Sequence, residues 1–317
     1  MLIGHQKQWQ FLKKSAELGK LPHGLLFYGQ EQLGKKTLAI EFVKYLNCEK
    51  IDSSKKPCQV CRNCRDIQKG VYPDFILIGP GRSAKEIQIS QIRNLIGKLS
   101  LRPYSADFKI AILDKAHLMS QEAQSCFLKF LEEPKGKALL ILITQYPELL
   151  LPTILSRVQK IRFFPVKIKE IEKYLIGQGI SKEKRRYLLA FSFEKPGLVF
   201  NFLSDSQKIE GQKKLISDLL KISDSDLAAR FQYAKALSEK SSDLEAKNLK
   251  EILDTWLRYF RSIFLSRIAG KKKDEPFSQY SLSKLKNIIK DIQTTDFLIS
   301  TTNINPRLAL EVLLMKL

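Results

Sequence analysis

Four short runs of consecutive apolar residues, Leu25–Tyr28, Phe75–Ile78, Ile110–Leu113 after Lys109, and Leu139–Ile143, punctuate the first half of the chain. Segments of helical period separate them. A strand that is apolar at every position, rather than at alternate ones, must be covered on both faces. Such strands joined by helical crossovers form a parallel sheet with helices on either side. The stretch from Met1 to about Pro165 therefore reads as an α/β nucleotide-fold domain, residues 1–165.

After Pro165 the apolar runs stop. Lys167–Leu203 carries patterns for about three small helices, broken at Pro196-Gly197, which defines a second region, 166–207. From Lys208 onward, residues 208–317, the period is helical throughout. Ile252, Trp256, Tyr259, Phe260 and Ile263 fall at helical spacing and predict one buried stripe in a helix-bundle core. Gly270–Pro276 reads as a charged loop, and Asn305-Pro306 opens a last helix carrying Leu308, Val312 and Met315.

The loop after the first apolar run is Gly29-Gln30-Glu31-Gln32-Leu33-Gly34-Lys35-Lys36-Thr37. Gly29, Gly34 and Lys35 match a phosphate-binding G-x-x-x-x-G-K loop, whose backbone N–H groups wrap phosphates at a helix N-terminus. The next position should carry a hydroxyl for Mg²⁺, and it holds Lys36. Thr37 is about 100° further round the helix and does not replace it. The third run ends in Asp114-Lys115. Asp114 stands where such folds hold a metal-bound water, but Lys115 stands where a carboxylate aligns the attacking water. A cation cannot accept that proton. These two lysines argue against hydrolysis by this chain. Lys35 and the loop amides can hold phosphates without Mg²⁺; equally, Lys36 can fill the site itself. Thr144, at the tip of the fourth run, is the candidate γ-phosphate sensor.

Cys48, Cys58, Cys61 and Cys64 form a C-x₉-C-x₂-C-x₂-C cluster just after the phosphate-loop helix. Four thiolates enclose one Zn²⁺ tetrahedrally and leave no open position, so the expected ion is structural. The alternative, an iron–sulfur cluster, would call for a downstream Cys-Pro that Cys64-Arg65 does not supply. Cys126 reads as a core residue.

Lys and Arg number 54 against 33 Asp and Glu, a formal charge of +21. That excess fits nucleic acid, an acidic protein partner or simply a lysine-rich solvated surface. No run approaches the roughly 18–20 apolar residues of a membrane span. The N-terminal residues carry a charge before any apolar core develops, so a cytosolic chain without a membrane partner is expected.

Several motifs together resemble the clamp-loader subunits of bacterial DNA polymerase III: Pro22-His23-Gly24-Leu25-Leu26-Phe27, the four-cysteine insert, Leu131-Glu132-Glu133-Pro134 and Ser156-Arg157-Val158. Lys195-Pro196-Gly197-Leu198 and Asn303–Glu311 extend the likeness over nearly the whole chain. Lys36 and Lys115 resemble the degraded nucleotide motifs of the delta-prime group rather than the intact ones of gamma/tau. The resemblance implies an AAA+ RecA-like domain with a zinc module near 48–64, a small helical lid and a C-terminal helical collar. It implies a pentamer with delta and gamma/tau subunits that places a sliding clamp on primed DNA. Within it Arg157 would be an arginine finger acting in trans on a neighbour's ATP, and Gly29, Gly34 and Lys35 would mark a vestigial phosphate loop. Val158 departs from the family's usual Cys. The competing readings are an active gamma-type ATPase and a simple DNA-binding module.

Overall fold

The computed structural model describes residues 2–80, 86–133, 137–204, 207–239, 245–268, 277, 279–302 and 304–317. Pro134, the charged segment 270–276 and Asn303 lie outside the described residues. The chain divides into two compact units, Met1–Val199 and Phe200–Leu317.

The first unit runs α1 (Gln6–Glu17), β1 (Gly24–Tyr28), α2 (Lys35–Asn47), α3 (Arg62–Lys69), β2 (Phe75–Ile78), α4 (Ile89–Leu99), β3 (Lys109–Leu113), α5 (Gln121–Glu132), β4 (Ala138–Thr144), α6 (Pro152–Arg157) and β5 (Gln159–Arg162). Three short helices follow: α7 (Ile168–Gly177), α8 (Lys182–Ser192) and α9 (Pro196–Ser204), the last crossing into the second unit. The five strands form one parallel sheet in the order β2-β3-β4-β1-β5. This is an open parallel α/β sheet with helices on both faces, as the sequence predicts.

Alternation along each strand explains the two layers. Leu25, Phe27, Ile110, Ile112, Leu139 and Ile141 enter one core with Leu12 of α1, Leu38 and Phe42 of α2, and Ile67 of α3. The intervening Leu26, Ala111, Leu113, Leu140 and Leu142 enter a second core with Ile92 and Leu95 of α4, Phe127 of α5 and Ile154 of α6. β1, β3 and β4 are thus apolar on both faces, which is what their unbroken apolar runs demand.

The fifth strand has no counterpart among the four apolar runs. It reads Gln-Lys-Ile-Arg, and only Ile161 is buried. At the sheet edge the outer face stays in water, so no apolar run marks it.

The second unit contains α10 (Gln207–Ser223), α11 (Leu227–Glu239), α12 (Glu245–Ile268), α13 (Leu282–Thr301) and α14 (Pro306–Met315). Ile252, Trp256, Phe260 and Ile263 of α12 are buried in one core with Leu285, Ile288 and Ile292 of α13 and Leu310 and Leu313 of α14; Tyr259 packs partly buried against it. The predicted stripe is a bundle core. Asn305 caps α14 by accepting from the Arg307 N–H at 3.0 Å, with Pro306 in the first turn, where no N–H is needed. Among the described residues no helix is long and apolar enough to cross a membrane.

Trp256 is fully buried. Trp256→Ala should cost about 3–5 kcal/mol, measurable as a lowered urea midpoint for the second unit.

Candidate functional site: a phosphate loop closed by lysines and a four-cysteine centre

β1 delivers the chain into Gly29, whose φ is 139°. A Cβ there would lie 2.5 Å from the Phe163 carbonyl oxygen, so no larger residue fits. Gly34, at φ 90°, opens α2. Lys35 is 7% exposed, and its Nζ donates to the carbonyl oxygens of Gly29 and Gln30, turned back upon its own loop. Lys36 Nζ lies 3.0 Å from Asp114 Oδ2. The lysine therefore forms an ion pair with a carboxylate 78 residues further along the chain. Such a half-exposed pair contributes only about 0–1 kcal/mol to stability; its consequence is chemical, because it neutralises Asp114 from within. Lys115 follows in left-handed conformation, φ 55°.

Thr144 ends β4, 1% exposed. Its Oγ1 is 3.0 Å from His117 Nδ1 and accepts the Tyr146 N–H at 3.0 Å. Thr37, Asp114, Lys115, His117, Thr144 and Gly197 border a cleft of about 350 Å³ with the phosphate loop. Gly197 comes from the start of α9, and its N–H donates to the Gln32 carbonyl at 2.8 Å. His117, Gln145 and Gly197 were not singled out for this cleft by the sequence. His117 sits on a single 3₁₀ turn after Asp114, and nothing in the local pattern marks a histidine whose partner, Thr144, is 27 residues away.

The four cysteines converge between the end of α2 and the start of α3. Their sulfurs all lie within 4.8 Å of one another. Zn–S bonds of about 2.3 Å in a tetrahedron place sulfurs about 3.8 Å apart, so the set fits one ion. Backbone N–H groups point at the sulfurs: Cys58 to Cys48 Sγ at 3.5 Å, Cys61 to Cys58 Sγ at 3.3 Å, and Cys64 to Cys61 Sγ at 3.4 Å. The N–H groups of Val60 and Cys61 draw the Cys58 thiol down to about 6, while burial pushes the Cys64 thiol up. A positive ion would offset that burial cost by holding the thiolates. Cys126 is half-buried against the second core of the sheet domain.

The sequence matches a family described as "DNA polymerase III, delta subunit" over residues 4–167, about half of the chain. The chain belongs to the DNA polymerase III delta family. It is 37% identical over 180 residues to DNA polymerase III subunit delta' of Bacillus subtilis (strain 168), covering 56% of this chain and 53% of that one. The delta' subunit of Pseudomonas aeruginosa is 34% identical over 135 residues, covering 43% of this chain and 41% of its own. Subunit tau of Escherichia coli (strain K12) is 31% identical over 174 residues, covering 55% and 26%. The chain thus spans about half the length of the first of these relatives.

In this delta-family chain the matched residues include the phosphate loop, the cysteines, Asp114 and Arg157. Arg157 closes α6. Its Nη2 pairs with Glu132 Oε1 at 2.9 Å, and its Nη1 donates to the Thr153 carbonyl at 3.0 Å and faces Ser156 Oγ at 3.4 Å. The Arg157 side chain is 37% exposed, at the surface of the domain. Val158 is buried, its side chain packed against Gly24.

Beneath the phosphate loop, His5 Nε2 lies 2.7 Å from the Leu33 carbonyl and its ring packs on Phe163. Burial holds the His5 imidazole below its ordinary value of 6.5. The unfolded chain therefore takes up the proton first. The stability associated with neutral His5 is present above about pH 6.5 and is lost as pH falls below it. Urea midpoints taken between pH 7.5 and 5.5 should fall, and His5→Gln should reduce that slope.

Metal content measured on the purified chain should give one ion per chain. Cys61→Ser should lower retention of that ion in the presence of a chelator.

Proposed function

We propose that this chain is the delta-prime subunit of the DNA polymerase III clamp loader, an AAA+ subunit that assists ATP hydrolysis without performing it. The observation that carries the reading is the Lys36–Asp114 ion pair. In an active site of this fold a hydroxyl after the loop lysine and a strand-end Asp hold Mg²⁺, and a second carboxylate aligns water. Here an ammonium pairs with that Asp, Lys115 takes the carboxylate position, and Lys35 bonds to loop carbonyls. The cleft has room for a phosphate, but lysines stand at the two positions where the reaction needs a metal-binding hydroxyl and a water-aligning carboxylate. The delta' relatives support the same choice.

In this reading Arg157 is the finger. Its guanidinium exchanges Glu132 for the γ-phosphate of ATP on an adjacent gamma/tau subunit and stabilises charge as it develops in phosphoryl transfer. Cys48, Cys58, Cys61 and Cys64 hold a structural Zn²⁺, which cross-links the end of α2 to α3. Residues 1–165 form the AAA+ domain, 166–207 a lid and 208–317 the collar that assembles with gamma/tau and delta into a pentamer. That complex acts on the sliding clamp and primer-template DNA at the replisome in the cytoplasm. The alternative, an active gamma-type ATPase, draws support from the tau relative, but it requires Mg²⁺ to displace Lys36 from Asp114.

The purified chain alone should turn over no ATP. Mixed with gamma/tau and delta, it should support DNA- and clamp-stimulated turnover. Arg157→Ala in that mixture should lower turnover at the adjacent site by about 10³-fold, the low end for arginine fingers supplied in trans. Robust turnover by the isolated chain would reassign it as a motor subunit. Unchanged turnover with Arg157→Ala would remove the finger role.

A further inference from the structure

Between the phosphate loop and the cysteine centre lies a polar cluster that neither site uses. Lys44 and Glu41, one helical turn apart on α2, are buried, with side chains 3% and 10% exposed. Lys44 Nζ donates to Glu41 Oε1 at 2.8 Å and to Gln59 Oε1 at 2.9 Å. Gln59 Nε2 in turn donates to Glu41 Oε2 at 2.5 Å. Each of the three side chains bonds to the other two, so the ring is closed. Both ends of the Gln59 amide and both oxygens of Glu41 are committed to it.

Gln59 lies between Cys58 and Cys61 and is held in left-handed conformation at φ 65°. A long side chain there costs backbone energy unless the surroundings impose the conformation. The preceding residue, Cys58, donates its backbone N–H to Cys48 Sγ at 3.5 Å and accepts the Cys61 N–H on its own sulfur at 3.3 Å. Gln59 thus joins the four-cysteine cluster covalently, as the residue after Cys58, and α2 through its side chain. A buried ion pair is weak as a source of stability, because an apolar pair of equal size often serves as well. What the pair supplies here is direction: two charges, fixed on one helix, grip one amide in one orientation.

We propose that Glu41, Lys44 and Gln59 form a clasp that presets the cysteine centre for its ion and ties occupancy of that centre to α2, the helix that begins at the phosphate loop. These are positioning residues, since none of the three side chains is a ligand. The proposal rests on metal binding by the four cysteines and is independent of the finger role of Arg157.

The test uses the full chain and zinc alone, with affinity measured by competition against a chromophoric chelator. Gln59 is exposed, and Asn tolerates left-handed backbone but is one methylene too short to reach both partners. Gln59→Asn should therefore fold and bind zinc about 10–100-fold more weakly, the usual cost of losing an outer-shell partner. The paired change Glu41→Leu with Lys44→Met, which keeps the buried volume apolar, should give the same loss with the fold retained by circular dichroism. Gln68→Asn, an exposed glutamine on α3 outside the ring, should leave affinity unchanged. Stripping zinc from the wild-type chain should speed amide exchange through the last turns of α2, and Gln59→Asn should show that faster exchange with zinc bound. Affinity of Gln59→Asn within about twofold of wild type would overturn the clasp alone. A wild-type chain that binds no zinc would overturn the metal reading and the clasp together.

Discussion

Strands β1, β3 and β4 bury their side chains on both faces of the sheet, and the architecture of the first unit follows from that requirement. Parallel strands cannot be joined by tight turns, so each needs a crossover, and the crossovers supply the helices that cover both faces. Because all five strands run the same way, the loops leaving their C-terminal ends emerge along one edge. The Gly29–Gly34 loop after β1, Asp114 after β3 and Thr144 at the end of β4 meet there, although they are spread over more than a hundred residues of chain. The apolar packing thus assembles the cleft, and the polar residues around it are guests of that packing.

Within the cleft the balance of charge is decided by proximity. Lys36 Nζ reaches Asp114 Oδ2 at 3.0 Å, so in the proposed reading a side-chain cation stands where a divalent cation would. Lys35 is likewise spent on carbonyls of its own loop. The loop keeps a tight glycine at Gly29 and a helix opening at Gly34, while Lys36 and Asp114 neutralise each other.

Helix α2 is common to the two centres. It starts at Lys35 in the phosphate loop and its C-terminal cap is Cys48, the first of the four cysteines. The Glu41–Lys44 pair lies between them, gripping Gln59. One helix linking the Gly29–Lys35 loop to the four-cysteine cluster gives the insert a mechanical reason for its place in the chain.

Much of this was legible in the order of residues. The four apolar runs announced the buried strands, the Gly29–Lys35 spacing the loop, the cysteine spacing the cluster, and the stripe from Ile252 to Ile263 the bundle core. These are local patterns, fixed by the period of a strand or helix and by the reach of neighbouring ligands. The polar edge strand at Gln159–Arg162 escaped, because pairing with β1 made it a strand and no apolar run did. His117 joined Thr144, Arg157 found Glu132, and Gln59 bridged back to α2 only through contacts between residues far apart in the chain. The sequence by itself determined which residues had to be buried and which chemical groups were present. Only the tertiary structure decided which charge neutralises which, because an ion pair or hydrogen bond depends on ångström distances that packing alone sets.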